Sequence, residues 1–385
     1  MFMNRKPPRI LVIILRYLGD TLLASPVFEA LRFNYPHAFI AACVNEGTEA
    51  MLTDNPFIDK IFLVKRDQKR RFKDLRHQLR LFHDIRERRF DLTLELTHND
   101  RGAFLGFISG ASRRLGFFFP WEEKRFPDMH ILYTETIIPE ENTHIVDFNL
   151  RMVERLGLSV PQRIPRLYWQ PQDEERAMKI LAAAGISQTD SYVTLYPVCN
   201  TPFRSWNKEG YAALCDHLEQ KWKTKTVLIC GPAPKEMAFV NDIVSLCRSS
   251  RPVHLGGHFP LKSLAVAIHR AMLAISIDSG PMHIAAAVGT PVLAILGPQQ
   301  RELWGPYGPD HVVAQKTWAC VPCRRSGCDN DKQQMSLCLK ELKKEEVLTI
   351  LDEKMAALTK ENKQLSDERQ SGQGQLLLRE SRPCP

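Results

Sequence analysis

The residues able to do chemistry gather in a few short stretches. The densest is Asp278-Ser279-Gly280-Pro281-Met282-His283, which packs a carboxylate, a hydroxyl, an unhindered backbone and an imidazole into one turn. A turn serving structure alone needs neither the acid nor the imidazole. Asp20, in Arg16-Tyr17-Leu18-Gly19-Asp20-Thr21, lies at the start of a predicted helix. An aspartate there is commonly an N-cap; it could also take the proton of an attacking hydroxyl as a general base. Arg204, in Pro202-Phe203-Arg204-Ser205-Trp206, could clamp a phosphate, because a guanidinium fork matches phosphate oxygens. An ordinary exposed arginine fits that stretch nearly as well. Glu236, after Gly231-Pro232-Ala233-Pro234-Lys235, could accept from ribose hydroxyls, although a carboxylate in a helix's first turn needs no further role.

Four cysteines form a separate group, Cys320-x2-Cys323-x4-Cys328-x9-Cys338. Thiols this close could hold a structural metal, and CxxC is a usual first half of such a site. The second pair is not a CxxC, so a structural metal, a redox-labile pair and four unconnected thiols all stay open. No Walker pattern, GxGxxG or G-x-S-x-G occurs, which argues against an ATPase, a nicotinamide enzyme and a serine hydrolase.

These stretches need elements to hold them, and the chain supplies an alternation of strands and helices. Ala274 to Ile277 is a short β-branched run, the pattern of a buried strand; Pro281 suits a first helical position. An alanine-rich helix follows to Val288, Gly289 closes it, and Pro291 to Leu296 is a second buried strand. Such a unit sets free backbone N–H groups and a positive dipole end beside a polar loop, which suits a phosphate. Upstream, strands are predicted at 9–15, 39–44, 61–64 and 91–96, with helices at 21–35, 99–108 and 144–156. The aromatic, Arg- and Pro-rich segment 113–130 reads as a long loop. In the second half, strands are predicted at 192–196, 226–230 and 253–255, and helices at 174–184, 208–222, 235–247 and 261–269. Two such runs indicate an α/β chain of two parallel-sheet, Rossmann-like domains facing across a cleft. Pro161, Pro165 and Pro171 mark the linker. The expected divisions are 1–162, 163–358 and a polar, disordered tail over 359–385.

The chain carries 385 residues and a net charge of +8, most of it in one segment. Between Lys65 and Arg89 there are 11 Lys/Arg against 4 Asp/Glu, which implies an anionic partner. Phe72, Leu75, Leu79 and Phe82 recur there at helical spacing and are expected to face inward, with Lys69, Arg76, Arg80 and Arg86 outward. No signal peptide and no membrane-spanning run is visible. Ten cysteines scattered mainly through apolar segments fit a reducing cytosol.

Asp278-Ser279-Gly280-Pro281-Met282-His283, the alanine helix, Gly-Thr-Pro and Gly-Pro together resemble the signature of glycosyltransferase family 9, the ADP-heptose:lipopolysaccharide heptosyltransferases. Arg16-Tyr17-Leu18-Gly19-Asp20 resembles that family's N-terminal loop, and the cysteine stretch looks most like its heptosyltransferase III branch. The resemblance implies a GT-B fold, an ADP-heptose donor in the C-terminal domain and a lipopolysaccharide inner-core acceptor on the N-terminal domain. It implies Asp20 as base and Asp278, Ser279, Gly280 and His283 as the donor loop; Arg204 and Glu236 match donor-side positions only approximately. Arg76 and Arg80 become candidates for attracting the phosphorylated acceptor. A cytoplasmic enzyme of a Gram-negative bacterium is implied, peripheral to the anionic inner leaflet and without a nucleic-acid partner. The expected reaction is a single displacement with inversion. No Asp-x-Asp is placed to hold a catalytic metal, so no cofactor is expected to be required. The competing expectations are a heptosyltransferase acting on protein and a non-catalytic nucleic-acid-binding protein using the 65–89 helix.

Overall fold

The computed structural model describes residues 6–65, 72–119, 129–138, 140, 142–199, 201–323, 327–331 and 333–370. Continuous apolar runs set its strands, as they must when a sheet is covered on both faces. The chain divides into two units, Met1–Tyr168 and Trp169–Pro385, and the divide falls within the proline-punctuated stretch.

In unit 1 the order is β1 (Arg9–Ile14), α1 (Leu18–Leu23), α2 (Ser25–Asn34), β2 (Phe39–Asn45), β3 (Lys60–Val64), α3 (Phe72–Glu87), β4 (Leu92–Glu95), α4 (Asp100–Ile108), β5 (Arg113–Phe117), β6 (Glu135–Ile137) and α5 (Ile145–Arg155). The six strands form one parallel sheet, ordered β3-β2-β1-β4-β5-β6. Ile10 of β1 stands opposite Ile40 on one side and Leu92 on the other. Because β2 and β3 extend the sheet one way from β1 and β4 the other, the direction of winding reverses between β1 and β4.

Unit 2 runs α6 (Pro171–Ala183), β7 (Tyr192–Tyr196), α7 (Lys208–Trp222), β8 (Lys225–Leu228), α8 (Pro234–Leu246), β9 (Val253–His254), α9 (Leu261–His269), β10 (Leu273–Ile277), α10 (Gly280–Ala287), β11 (Val292–Ile295), α11 (Arg301–Trp304), β12 (Val312–Ala314), α12 (Leu337–Lys340) and α13 (Lys344–Gln370). Its sheet is ordered β12-β11-β10-β7-β8-β9, so the reversal falls between β10 and β7. Val347, Leu351, Met355 and Leu358 recur every three or four residues along α13 and are buried in the core of this unit. Trp206 is fully buried there, its indole N–H donating to the carbonyl of Leu342 at 2.9 Å.

Four expectations change. The helix predicted over 21–35 is two helices, because Ser25-Pro26 starts a new one directly after Ala24. The segment 113–130 is not all loop: Arg113–Phe117 is a strand and Met129–Leu132 a 3-10 turn, with 120–128 outside the described residues. On α3 the inward face is Leu81 and Ile85, with Phe82 packed beside them, while Leu79 is 55% exposed. The same 3.6-residue period fits both faces, and the packing chose the one carrying Ile85. Arg76, Arg80 and Arg86 are exposed as expected; Lys69 and the side chains of Phe72 and Leu75 lie outside the described residues. Lastly, α13 continues to Gln370, into the segment whose composition suggested a tail. Lys, Glu, Gln and Leu are all good helix formers, so polarity there does not end the helix. Residues 371–385 lie outside the described ones.

Candidate active site

Ligands of open α/β sheets bind beyond the carboxyl ends of the strands, where the winding reverses. In unit 2 that point is spanned by a salt bridge. Arg204 follows β7 on a 3-10 turn, and its Nη1 donates to Oδ2 of Asp278, which follows β10, at 3.1 Å. Asp278 is mostly buried, with 12% of its side chain exposed, while 39% of Arg204 remains open to a ligand. Phe203 supports the guanidinium, whose carbon lies 5.3 Å from the ring centroid.

Beside this pair α10 begins. Ser279 is its N-cap residue, but its hydroxyl donates back to the carbonyl of Ile277 at 3.2 Å and lies 3.1 Å from the hydroxyl of Ser276. The Ser279 side chain makes no cap bond to the helix. The positive end of α10 thus lies next to a cation already held in place, without a cap bond from Ser279. Gly280 and Pro281 open the helix, His283 is buried on its first turns, and Ala285, Ala286 and Ala287 are buried behind it. This arrangement suits a pyrophosphate.

Glu236 belongs to the neighbouring loop, after β8 and in the first turn of α8. Its Oε2 accepts from the backbone N–H of Gly231 at 2.7 Å. One oxygen of the expected ribose acceptor is thus used to fix its own loop. A Cβ on Gly231 would approach that oxygen to 2.8 Å, so the Glu236 carboxylate lies close over the Gly231 backbone.

In unit 1 the reversal point is tied by hydrogen bonds. The backbone N–H of Leu15 donates to the Thr97 hydroxyl at 2.7 Å, and Arg16 Nε donates to the Thr97 carbonyl at 3.1 Å. On the other side Asn45 donates to the Arg16 carbonyl at 3.0 Å. The loop carrying Asp20 is thus anchored to the strands on both sides. Asp20 is the third residue of α1, and its Oδ2 accepts from the N–H of Tyr17 at 3.3 Å. Burial raises its carboxyl above the ordinary value of 3.8, and the Arg16 charge and the Tyr17 N–H oppose that rise. The capping bond and a base poised nearer neutrality are compatible in one side chain.

Sequence reasoning missed Glu95, the last residue of β4. It is 1% exposed and accepts three bonds: from the N–H groups of Thr97 and His98, both at 2.9 Å, and from the Tyr133 hydroxyl at 3.0 Å. Burial raises its pKa, and these donors pull it back toward the charged form. With three donors aimed at two oxygens, the carboxylate is what the site accommodates. Glu95 thereby shapes the turn that holds Arg16 and keeps His98 at φ +54°, a left-handed backbone. The available signal was an acid inside the apolar run Leu92-Thr93-Leu94-Glu95-Leu96, since a buried carboxylate requires partners.

Arg80 is not brought to Asp20. It lines a cavity with Arg9, Lys60 and Arg113, the first residues of β1, β3 and β5, at the opposite edge of the sheet. Arg76, one turn earlier, is exposed. The cysteine cluster does not form a metal set: among the described residues no three His, Cys, Asp or Glu side chains gather to hold an ion. Cys320 is exposed, Cys323 and Cys328 are half-buried, and Cys338 is buried on α12. Burial pushes the Cys338 thiol up to about 11. No helix among the described residues is long and apolar enough to cross a membrane.

Comparison with known proteins bears on the family and the fold. The profile of glycosyltransferase family 9 (heptosyltransferase) matches residues 78–334. Lipopolysaccharide heptosyltransferase 3 of Escherichia coli K12 is 28% identical over 296 residues, covering 76% of this chain and 83% of that protein. Among solved structures, a family 9 glycosyl transferase from Veillonella parvula superposes with a TM-score of 0.77 at 23% identity, over 91% of this chain and 97% of its own. The E. coli ADP-heptose lps heptosyltransferase II superposes with a TM-score of 0.72 at 18% identity, over 91% and 99%. These share the GT-B class of fold, two Rossmann-like α/β domains. The chain belongs to glycosyltransferase family 9, the heptosyltransferases.

Proposed function

We propose that this enzyme transfers a heptose from ADP-heptose to a heptose of the lipopolysaccharide inner core, with inversion at the anomeric carbon. The observation that carries this reading is the Arg204–Asp278 bridge across the reversal point of unit 2, set beside the start of α10, where Ser279 makes no cap bond. Family membership narrows the donor to a nucleotide-activated heptose, and the similarity to an ADP-heptose lps heptosyltransferase and a lipopolysaccharide heptosyltransferase supports ADP as the nucleotide and lipopolysaccharide as the acceptor class.

In the proposed reaction Asp20 accepts the proton of the acceptor hydroxyl as its oxygen forms a bond to the donor's anomeric carbon. The bond from that carbon to the β-phosphate oxygen breaks, and its electron pair leaves with ADP. The new charge on the pyrophosphate is met by the α10 N-terminus and the Arg204 guanidinium, groups already fixed before the reaction. Asp278 orients Arg204, and the free oxygen of Glu236 accepts from the ribose. His283 is buried on α10. The positive charge of α3, Arg76 and Arg80 included, attracts the phosphorylated acceptor and an anionic leaflet at a distance, and salt screens such attraction beyond about 8–10 Å. Contact of Arg80 with the reacting hydroxyl is not part of this reading.

The test supplies purified enzyme with ADP-heptose and a core acceptor ending in heptose. The acceptor should gain one heptose as one ADP is released, and the new linkage should have the opposite anomeric configuration to the donor. Consumption of a UDP- or GDP-sugar with ADP-heptose left intact would refute the proposal.

A further inference from the structure

Unit 1 holds a cavity that the transfer reaction does not use. It lies at the amino-terminal edge of the sheet, among the starts of β1, β3 and β5 and the inner side of α3, and has a volume of about 1240 Å³. That exceeds the roughly 300–1,000 Å³ of ordinary small-molecule sites. Among the described residues, seven Lys and Arg side chains line it against three carboxylates.

Several of these charges are already committed. Arg113 gives Nε and Nη2 to the two oxygens of Glu135 at 2.8 and 3.1 Å. Asp91 accepts the backbone N–H of Arg9 at 2.7 Å, and Glu87 pairs with His83 at 3.1 Å. Those bonds occupy two of the three carboxylates. Lys60, Arg80 and Arg89 form no ion pair among the described residues. Two further nitrogens in the wall, Arg9 Nε and His77 Nε2, are buried without a hydrogen-bond partner. Buried polar atoms are rarely left so unless something else satisfies them. Ile61, Leu63 and Leu81 supply an apolar part of the lining. Unpaired cations, orphaned nitrogens and an apolar wall together suit an anion that carries an organic body.

We infer that this cavity is a second, non-catalytic binding site for a phosphate ester. The phosphate is held by Lys60 and Arg80, and the organic part rests on the apolar wall. The ester could be a soluble metabolite or the headgroup of a lipid, and the two sources present the same phosphate to the same cations. The inference does not rest on the transfer reaction, and its test uses no sugar donor.

The full chain, with ADP added to occupy any nucleotide site, is titrated calorimetrically with glycerol 3-phosphate. A second titration uses dihexanoylphosphatidic acid below its micellar concentration. Lys60→Gln and Arg80→Gln should each weaken binding by about tenfold or more, as expected for a lost charge-assisted hydrogen bond. Lys60→Arg should retain it, and Arg76→Gln should change it by less than about twofold, because that exposed cation lies outside the cavity lining. Thermal midpoints check that each variant is folded. Binding of both probes identifies a free ester as sufficient, and binding of the lipid alone identifies a headgroup. Failure of the wild type to bind either probe overturns the inference. So does an equal loss in Arg76→Gln, which would reduce the effect to net charge, or full affinity in both Lys60→Gln and Arg80→Gln.

Discussion

In unit 1 the winding reverses between β1 and β4, and the loops there are joined by Leu15 and Arg16 donating to the hydroxyl and carbonyl of Thr97. In unit 2 it reverses between β10 and β7, and the loops are joined by the Arg204–Asp278 ion pair. The topology is the same and the chemistry differs. Unit 1 presents carboxylates whose pKa is raised, Asp20 on α1 and Glu95 at the end of β4. Unit 2 presents a helix start and a fixed guanidinium. One edge suits taking a proton and the other suits receiving a leaving diphosphate. Parallel sheets bring loops together at such points whatever their content, and the side chains placed there decide the function.

The comparison breaks most visibly at Asp20. Asp20→Asn keeps an oxygen for the Tyr17 N–H and removes the base, so transfer should fall by about 10²-fold or more. Its thermal midpoint should hold or rise. A carboxyl whose folded pKa is raised costs stability once pH exceeds its unfolded value, and the amide relieves that cost. For the same reason the acidic limb of kcat/KM in the wild type should lie above pH 3.8, with activity lost as pH falls through the raised value. A limb at or below 3.8 would remove Asp20 from the reaction.

Next in size is Arg204→Met, which should weaken ADP binding by roughly 10- to 100-fold, the range for a hydrogen bond to a charged group. Transfer at saturating donor should be affected less than ADP affinity. Equal ADP affinity in a folded Arg204→Met variant would place the diphosphate elsewhere.

Glu95→Gln sharpens the contrast, because it acts through positioning. An amide N–H must then meet one of the donors that Glu95 now accepts, at a cost of about 1–3 kcal/mol. The midpoint should drop, and kcat should fall about tenfold with it as the Thr97 turn shifts and Arg16 loses its hold. ADP affinity should not change. A drop in stability with normal kcat would show that Glu95 serves folding alone.

The smallest catalytic effect is expected from Gly102→Ala in α4. A Cβ there would meet Glu95 Oε1 at 2.2 Å, so the carboxylate must move or the helix must. The variant should lose stability by about 1–3 kcal/mol, measured by urea unfolding, and shift kcat in the same direction as Glu95→Gln.

The donor-side loops were legible because their residues announce themselves. Asp278, Ser279 and His283 interrupt apolar runs, and Arg204 follows a strand, so chemistry and position coincide in the chain. The bond between Arg204 and Asp278 was not legible, since 73 residues and two βα units lie between them and only the strand order makes them neighbours. Glu95 was hidden for the opposite reason: it sits inside a strand, where an acid reads as an edge position until its three donors are seen. The strand Arg113–Phe117 was masked by its own composition, Arg-Arg-Leu-Gly-Phe, in a stretch rich in loop residues. On α3 the period was visible and the face was not, since apolar residues at 75, 79 and 82 compete with those at 81, 82 and 85.

The most direct test of the division between the two units is the dissociation constant for ADP measured by calorimetry in the wild type, Asp20→Asn, Asp278→Ala and Arg204→Met. Asp20→Asn should bind ADP within about twofold of the wild type while its transfer rate collapses, and both unit 2 variants should bind it at least about tenfold more weakly. Loss of ADP affinity in Asp20→Asn, with Asp278→Ala and Arg204→Met unchanged, would contradict the assignment of proton transfer to unit 1 and the leaving diphosphate to unit 2.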